Sequence, residues 1–184
     1  MKEETTEIEL LEEVKKGDRQ AMHSLYSRYV GYAMAVALRY VPDRNEVRDV
    51  VQDSFVKILS SISRFEYRGE GSLKAWIMRI VANEALSFVR SKQKISFVSE
   101  IPDGPEEEVE TTLVPPKELT RMIGELPNGY RLVLNMYVFE QMSHKEIAQQ
   151  LGITENTSAS QYLRAKKLLA KKIKEYLKQH DYEQ

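Results

Sequence analysis

The sequence predicts an all-α protein: two small helical domains joined by a flexible acidic, proline-containing linker, the second a four-helix domain with a helix-turn-helix. Three observations carry this. Apolar residues recur at helical spacing on both sides of a central gap. Glycine and proline are scarce, at 8 and 6 of 184 residues, and strand patterns have little to work with. The gap itself, SEIPDGPEEEVETTLVPP, holds four of the six prolines and a cluster of carboxylates. Proline fixes the backbone and removes donors, and like charges repel, so this stretch reads as a linker rather than a long surface loop within one domain. The boundaries follow as 1–95, 96–116 and 117–184.

The elements justify themselves in order. Helix one covers Ile8 to Lys16 and stops at Gly17. Asp18 caps helix two, which runs to about Tyr40 before Pro42, with Met22, Leu25, Tyr26, Tyr29, Ala33, Val36, Ala37 and Tyr40 at a helical period. Asp43 or Asn45 starts helix three, where Val47, Val50, Val51, Phe55, Ile58, Leu59 and Ile62 make a buried stripe. The loop SRFEYRGEGS follows, and Ser72 caps helix four, Leu73 to about Lys92. Trp76 shares a face with Leu73, Ile77 and Ile80 and reads as core; Phe65 also fits a core plug.

Beyond the linker, KELTRMIGEL is a short helix with Leu119, Met122, Ile123 and Leu126 inward. Pro127 opens the next, with Tyr130, Val133, Leu134 and Tyr137 inward. Ser143 and Glu146 form a capping box for a third helix ending at Gly152, and Thr154 caps the last, to about Gln179. Ile147, Ala148 and Leu151 point to the core, Gly152 makes the sharp turn, and Ile153 plugs it. That arrangement presents the start of the last helix toward a major groove. Its outward positions are read as Glu155, Asn156, Ser158, Ala159, Gln161, Arg164 and Lys167, with Lys166, Lys171, Lys172 and Lys174 suited to phosphate.

Two further surfaces stand out. On helix three, Asp49, Gln52, Asp53 and Val56 recur at i, i+3, i+4 and i+7 beside the buried stripe. An acidic ridge with one apolar member suits a basic protein partner better than DNA; a plain solvated face is the alternative. On helix four, Arg79, Asn83, Leu86 and Arg90 form a stripe, with Lys74, Lys92 and Lys94 near its ends. The preceding loop offers Arg64, Phe65, Tyr67 and Arg68, with Gly69 and Gly71 for flexibility. Aromatic rings and guanidinium planes stack on unpaired bases while cations follow the backbone.

Composition excludes other classes. Lys and Arg number 27 against 28 Asp and Glu, a net charge of −1, so either DNA is not the ligand or a partner supplies part of the grip. Cysteine is absent, which removes disulfides, thiolate metal sites and cysteine nucleophiles and suits a reducing cytoplasm. No run is long and apolar enough to span a bilayer. His23, His144 and His180 have no metal-ligand spacing, and no phosphate-cradling loop or activated nucleophile is visible, so neither an enzyme nor a cofactor is expected.

Together DVVQDSFVKIL, FEYRGEGSLKAWIMRIVANEALSFVR and LP with MSHKEIAQQLGITENTSASQYLRAKKLL resemble bacterial RNA polymerase sigma factors of the extracytoplasmic-function group of the sigma-70 family. The resemblance covers about Leu11 to Lys174, in order across both domains. It implies a transcription initiation factor that binds core RNA polymerase, at its clamp and flap, and promoter DNA. Asp49, Gln52, Asp53 and Val56 fall where such factors dock on the clamp coiled coil. Arg64, Phe65, Tyr67, Arg68, Lys74, Arg79, Ile80, Ala82, Asn83, Arg90 and Lys92 fall where they engage and open the minus-ten element. There one base is extruded from the stack and held in a protein pocket. Asn156, Thr157, Ser158, Ser160, Gln161, Arg164 and Lys167 fall where they read the minus-thirty-five element. The linker falls where the chain threads toward the active-site channel. An anti-sigma protein, membrane-bound for many relatives, is also implied.

The chain departs from the common pattern in one place. Many members carry Thr-Val-Lys-Ser-Arg where this one has Thr157, Ser158, Ala159, Ser160 and Gln161, so two basic positions are neutral. That implies a different promoter sequence or a weaker grip. The competing readings are a stand-alone regulator with a helical sensor or dimerisation domain, and a helical adaptor that binds only proteins.

Overall fold

Helices form where apolar residues repeat every three or four positions, and they start where a side chain takes up the free amides. The computed structural model describes residues 6–92, 97 and 111–180, and every regular element among them is helical. The chain divides into two compact units, Met1–Ser91 and Lys92–Gln184.

In the first unit, Thr6 and Glu9 form a reciprocal capping box that starts α1 (Glu7–Lys15), which buries Leu10, Leu11 and Val14. The Asp18 carboxylate accepts from the Ala21 N–H at 2.8 Å and caps α2 (Arg19–Tyr40). Of the two candidate caps for α3 (Arg44–Ser61), Asp43 is the one used, accepting from the amides of Asn45 and Glu46. Val47, Val50, Val51, Phe55 and Ile58 are buried as expected. Ser54 joins them by turning its hydroxyl onto the Val50 carbonyl at 2.6 Å. A 3₁₀ turn, Ile62–Arg64, leads to a loop and then α4 (Ser72–Lys92).

Ser72 does not cap α4. It is already the first helical residue, and its hydroxyl turns back to accept from the Arg68 N–H at 3.2 Å. The carboxylate of Glu7 takes the cap's place, accepting from Gly71 N–H at 2.9 Å and Lys74 N–H at 3.3 Å. The Lys57 ammonium reaches Glu84 at 2.6 Å and ties α3 to α4.

The second unit holds α5 (Pro116–Gly124), α6 (Asn128–Leu134), α7 (His144–Leu151) and α8 (Glu155–His180). Within the stretch 96–116 read as linker, residues 96 and 98–110 lie outside the described residues, as does Lys94. Thr111–Leu113 form a 3₁₀ turn, and Val114 is buried in one cluster with Met122 and Ile173. Packing of this unit therefore begins before α5. Ile123, Leu126, Leu134 and Ala165 make a second cluster.

Arg131 is buried and joins the end of α5 to α6, its guanidinium donating to the carbonyls of Gly124 at 2.7 Å and Leu126 at 3.1 Å. Burial pulls its pKa down to about 10, so it stays charged at neutral pH.

After α6 the coil widens into a π-helical turn, Asn135–Phe139. The Glu140 N–H reaches back to the Asn135 carbonyl at 3.2 Å, and the buried Asn135 amide donates to the Arg131 carbonyl at 2.8 Å. The extra residue per turn rotates the side chains beyond it away from the α-helical register. Tyr137, expected inward, is therefore 38 % exposed, beside exposed Val138 and Phe139.

Candidate nucleic-acid interface

The α3 ridge comes first in the chain. Asp49, Gln52, Asp53 and Val56 are all exposed, on the face opposite the buried stripe. Val56 is 64 % exposed, the most open large apolar side chain among those described. Among the described residues, Asp49 and Asp53 make no ion pair with a neighbouring base, so the ridge offers two uncompensated negative charges.

The loop and α4 form the second surface. Arg64 and Arg68 are exposed, and Phe65 and Tyr67 are half-buried. Phe65 leans on Trp76 with ring centroids 4.9 Å apart, so each ring covers one face of the other. Arg68 pairs only loosely with Glu66, at 3.7 Å, with both side chains more than four-fifths exposed. The ammonium of Lys74 sits 3.5 Å above the Tyr32 ring, a cation–π contact that fixes it at the head of α4. Along α4, Arg79, Asn83, Arg90 and Lys92 are exposed and Ile80 is half-buried.

Two α4 residues are not where the sequence reading put them. Ala82 and Leu86 are buried at 4 %, on the face shared with Val81, Ala85 and Val89. Both side chains pack inward, and the small Ala82 lets the helix sit close to its neighbours.

The head of α4 is built from distant residues. Besides the two amides, the Glu7 carboxylate accepts the Tyr29 hydroxyl at 2.9 Å. Burial, reinforced by that carboxylate, pushes the phenol up to about 12, so Tyr29 stays a donor. The Lys15 ammonium donates to the Phe65 carbonyl at 3.0 Å. Sequence reasoning missed Glu7, Lys15 and Tyr29, since no local pattern links positions 22 to 67 residues apart.

The third surface is the helix-turn-helix. The Ser143–Glu146 box caps α7, and its hydrogen bonds hold the Glu146 carboxyl below the usual carboxylate value. Gly152 ends the helix at φ 69°, in the left-handed region. Thr154 accepts from the Thr157 N–H at 3.1 Å to start α8.

On α8 the presented face differs from the expected one. Ser158, Gln161 and Arg164 are buried, at 0 %, 0 % and 1 %, and belong to the face that carries Ala165 inward. Each residue advances a helix by about 100°, so 158, 161 and 165 share one side while 156, 160, 163 and 167 share the other. Ser158 bonds the imidazole of His144 at 2.9 Å and closes α7 onto α8. None of the three is exposed at the surface of α8. The stripe on the opposite side is Asn156, exposed, with half-buried Ser160, Leu163 and Lys167; half-buried Thr157 and exposed Ala159 and Lys166 flank it. Leu163 was absent from the expected contact set, although its i+7 spacing from Asn156 would have found it; Lys166, expected at phosphate, is exposed. Lys172 is drawn to Glu125 at 2.7 Å and is not free for phosphate.

Comparison with known proteins identifies the combination. The family model "Sigma-70 region 2" matches residues 25–95, and "Sigma-70, region 4" matches residues 117–169. The chain belongs to the sigma-70 family, in its extracytoplasmic-function group.

An ECF RNA polymerase sigma-E factor of Haemophilus influenzae is 30 % identical over 193 residues, covering 94 % of this chain and 98 % of that one. The sigma-E factor of Escherichia coli is 28 % identical over 188 residues, covering 94 % and 97 %. A solved structure of CnrH in complex with the cytosolic domain of CnrY aligns with a TM-score of 0.45 at 25 % identity, covering 87 % of this chain and 92 % of that one. As a sigma factor the chain is a promoter-directing transcription initiation factor, and the stand-alone regulator is not favoured. No helix among the described residues is long and apolar enough to cross a membrane.

Proposed function

We propose that residues 1–95 dock on the core polymerase clamp and open the minus-ten element, that 117–184 read the minus-thirty-five element and meet the flap, and that 96–116 link them. The observation that carries this is the separation of charge within the first unit. An acidic, apolar-tipped ridge of Asp49, Gln52, Asp53 and Val56 lies on α3, while the basic and aromatic groups gather on the loop and α4. One face fits a basic protein coil and the other an unpaired strand.

In this reading Arg64, Phe65, Tyr67 and Arg68 on the loop, and Lys74, Arg79, Ile80, Asn83, Arg90 and Lys92 on α4, contact the opened minus-ten strand. Asn156, Thr157, Ser160 and Lys167 contact the minus-thirty-five duplex, joined by Leu163 and Lys166. The near-zero net charge then has a role. The polymerase supplies most of the nonspecific grip, and the sigma factor adds selectivity at two sites. Unstacking a base step costs about a few kcal/mol, which capture of the extruded base offsets in part. An anti-sigma protein, held at the membrane in many relatives, completes the partner set.

The test is a charge reversal. Asp49→Lys with Asp53→Lys should weaken binding to core polymerase while leaving the isolated sigma factor folded. Unchanged affinity for core would remove the docking assignment. Asn83→Ala or Arg90→Ala should impair promoter opening more than core binding, and equal loss of both would remove the strand-contact assignment.

A further inference from the structure

We propose that α1 is a strap that sets the shape of the minus-ten loop, with Glu7 and Lys15 as its positioning residues. The inference rests on the reading of that loop as the strand-binding element, but α1 itself lies outside the residues matched by either family model.

Glu7 and Lys15 are the first and last residues of α1, and each holds one end of the loop. The Lys15 ammonium donates to the carbonyl of Phe65, where the loop leaves the 3₁₀ turn. The Glu7 carboxylate accepts from Gly71, where the loop ends, and from Lys74 in the first turn of α4. A helix of this length spans about 13 Å, so the two ties are fixed relative to each other by a rigid rod. The rod is itself secured. Leu10, Leu11 and Val14 bury it, the Thr6–Glu9 box fixes its start, and Tyr29 of α2 donates to Glu7 at 2.9 Å.

The loop needs such support. Gly69 and Gly71 lie at φ 108° and 81°, where glycine gives the chain freedom rather than rigidity. Part of it borders an open cleft of about 610 Å³, lined by residues that include Glu7, Tyr29, Tyr67 and Glu70, rather than a packed core. Within the loop the Arg68 N–H bonds the Ser72 hydroxyl at 3.2 Å, and α1 holds the loop at both ends. A carboxylate at the head of α4 also meets the positive end of that helix, so Glu7 serves as a cap delivered from 64 residues away. Ordering the loop before the strand arrives removes that entropy cost from binding.

The test uses the full chain with core polymerase. The probe is a fluorescent non-template minus-ten oligonucleotide from the strongest promoter that the holoenzyme selects from a randomised library. Glu7→Ala should weaken strand capture about tenfold, with Glu7→Gln intermediate because it keeps one acceptor. Affinity for core should not change. In the free protein, the Gly71 and Lys74 amides should exchange faster, while amides of α2 and α3 keep their protection.

Three results would overturn the strap. If Glu7→Ala captures the strand like the wild type while Tyr67→Ala does not, the strap is refuted and the loop reading stands. If both capture it normally, the loop reading falls and the strap with it. If Glu7→Ala loses core affinity and strand capture by the same factor, Glu7 only holds the fold.

Discussion

The imidazole Nδ1 of His144, at the first position of α7, lies 2.9 Å from the hydroxyl of Ser158 in α8. This polar contact joins the two helices of the helix-turn-helix across their crossing, where His144 also meets the Tyr162 ring. Tyr137 stacks on the same imidazole with centroids 4.6 Å apart and packs on Tyr162 at 4.4 Å, so the π-helical turn buttresses the crossing from the side. The angle at which α8 is presented thus depends on a polar bond with aromatic support. Ser158→Ala should cost about 1 kcal/mol of stability, read as a lower urea midpoint, and should weaken binding to the minus-thirty-five duplex without altering which bases are preferred.

Gly152 gives a cleaner backbone test. A methyl group built there meets nothing within 4 Å, so Gly152→Ala introduces no clash. The cost is conformational alone, since φ is 69°. An alanine in the left-handed region loses about 1 kcal/mol. A midpoint lowered by roughly 4–8 °C in thermal unfolding would agree; an unchanged midpoint would mean that the turn can relax to another conformation.

Much of this architecture is legible in the sequence because its signals are local. The Asp18 cap, the Ser143–Glu146 box and the left-handed Gly152 are each specified within a few residues, and the buried stripe of α3 is a simple period. Failures occur where a distant part of the chain decides. Ser72 has the side chain of a cap, but Glu7 arrives from α1 and takes the amides. Ser158, Gln161 and Arg164 resemble base readers because polar side chains are normally outside; here α7 and the rest of the unit cover them. Leu163 escapes notice for the opposite reason, being apolar on the presented face. Tyr137 is misplaced because a π turn leaves no periodic trace in a short helix.

The corrected face of α8 leads to paired substitutions. Asn156→Ala removes an exposed amide and should cost about 1–3 kcal/mol at one base position, seen as relaxed preference there in a library of minus-thirty-five duplexes. Lys167→Ala should weaken all duplexes alike and flatten the salt dependence by about one counterion. Gln161→Ala should lower the unfolding midpoint and leave sequence preference intact. Were Gln161→Ala instead to change base preference at one position, the inward assignment of that residue would be wrong.

The capping box adds a pH dependence whose sign can be worked out. Hydrogen bonds from the Ser143 hydroxyl and amide hold the Glu146 carboxyl below its ordinary value of 4.5. A group whose folded pKa is depressed contributes stability that is present above its unfolded pKa and is lost as the pH falls through the folded one. The charged form also faces the positive end of α7, which favours the carboxylate further. Glu146→Gln should therefore be less stable than the wild type at pH 7, and the gap should close below pH 4.5 as the wild-type carboxyl takes up its proton. Urea unfolding of both proteins from pH 7 to pH 3 measures this. A gap of constant size across that range would show that the side chain stabilises α7 by packing, and that the carboxylate charge contributes nothing.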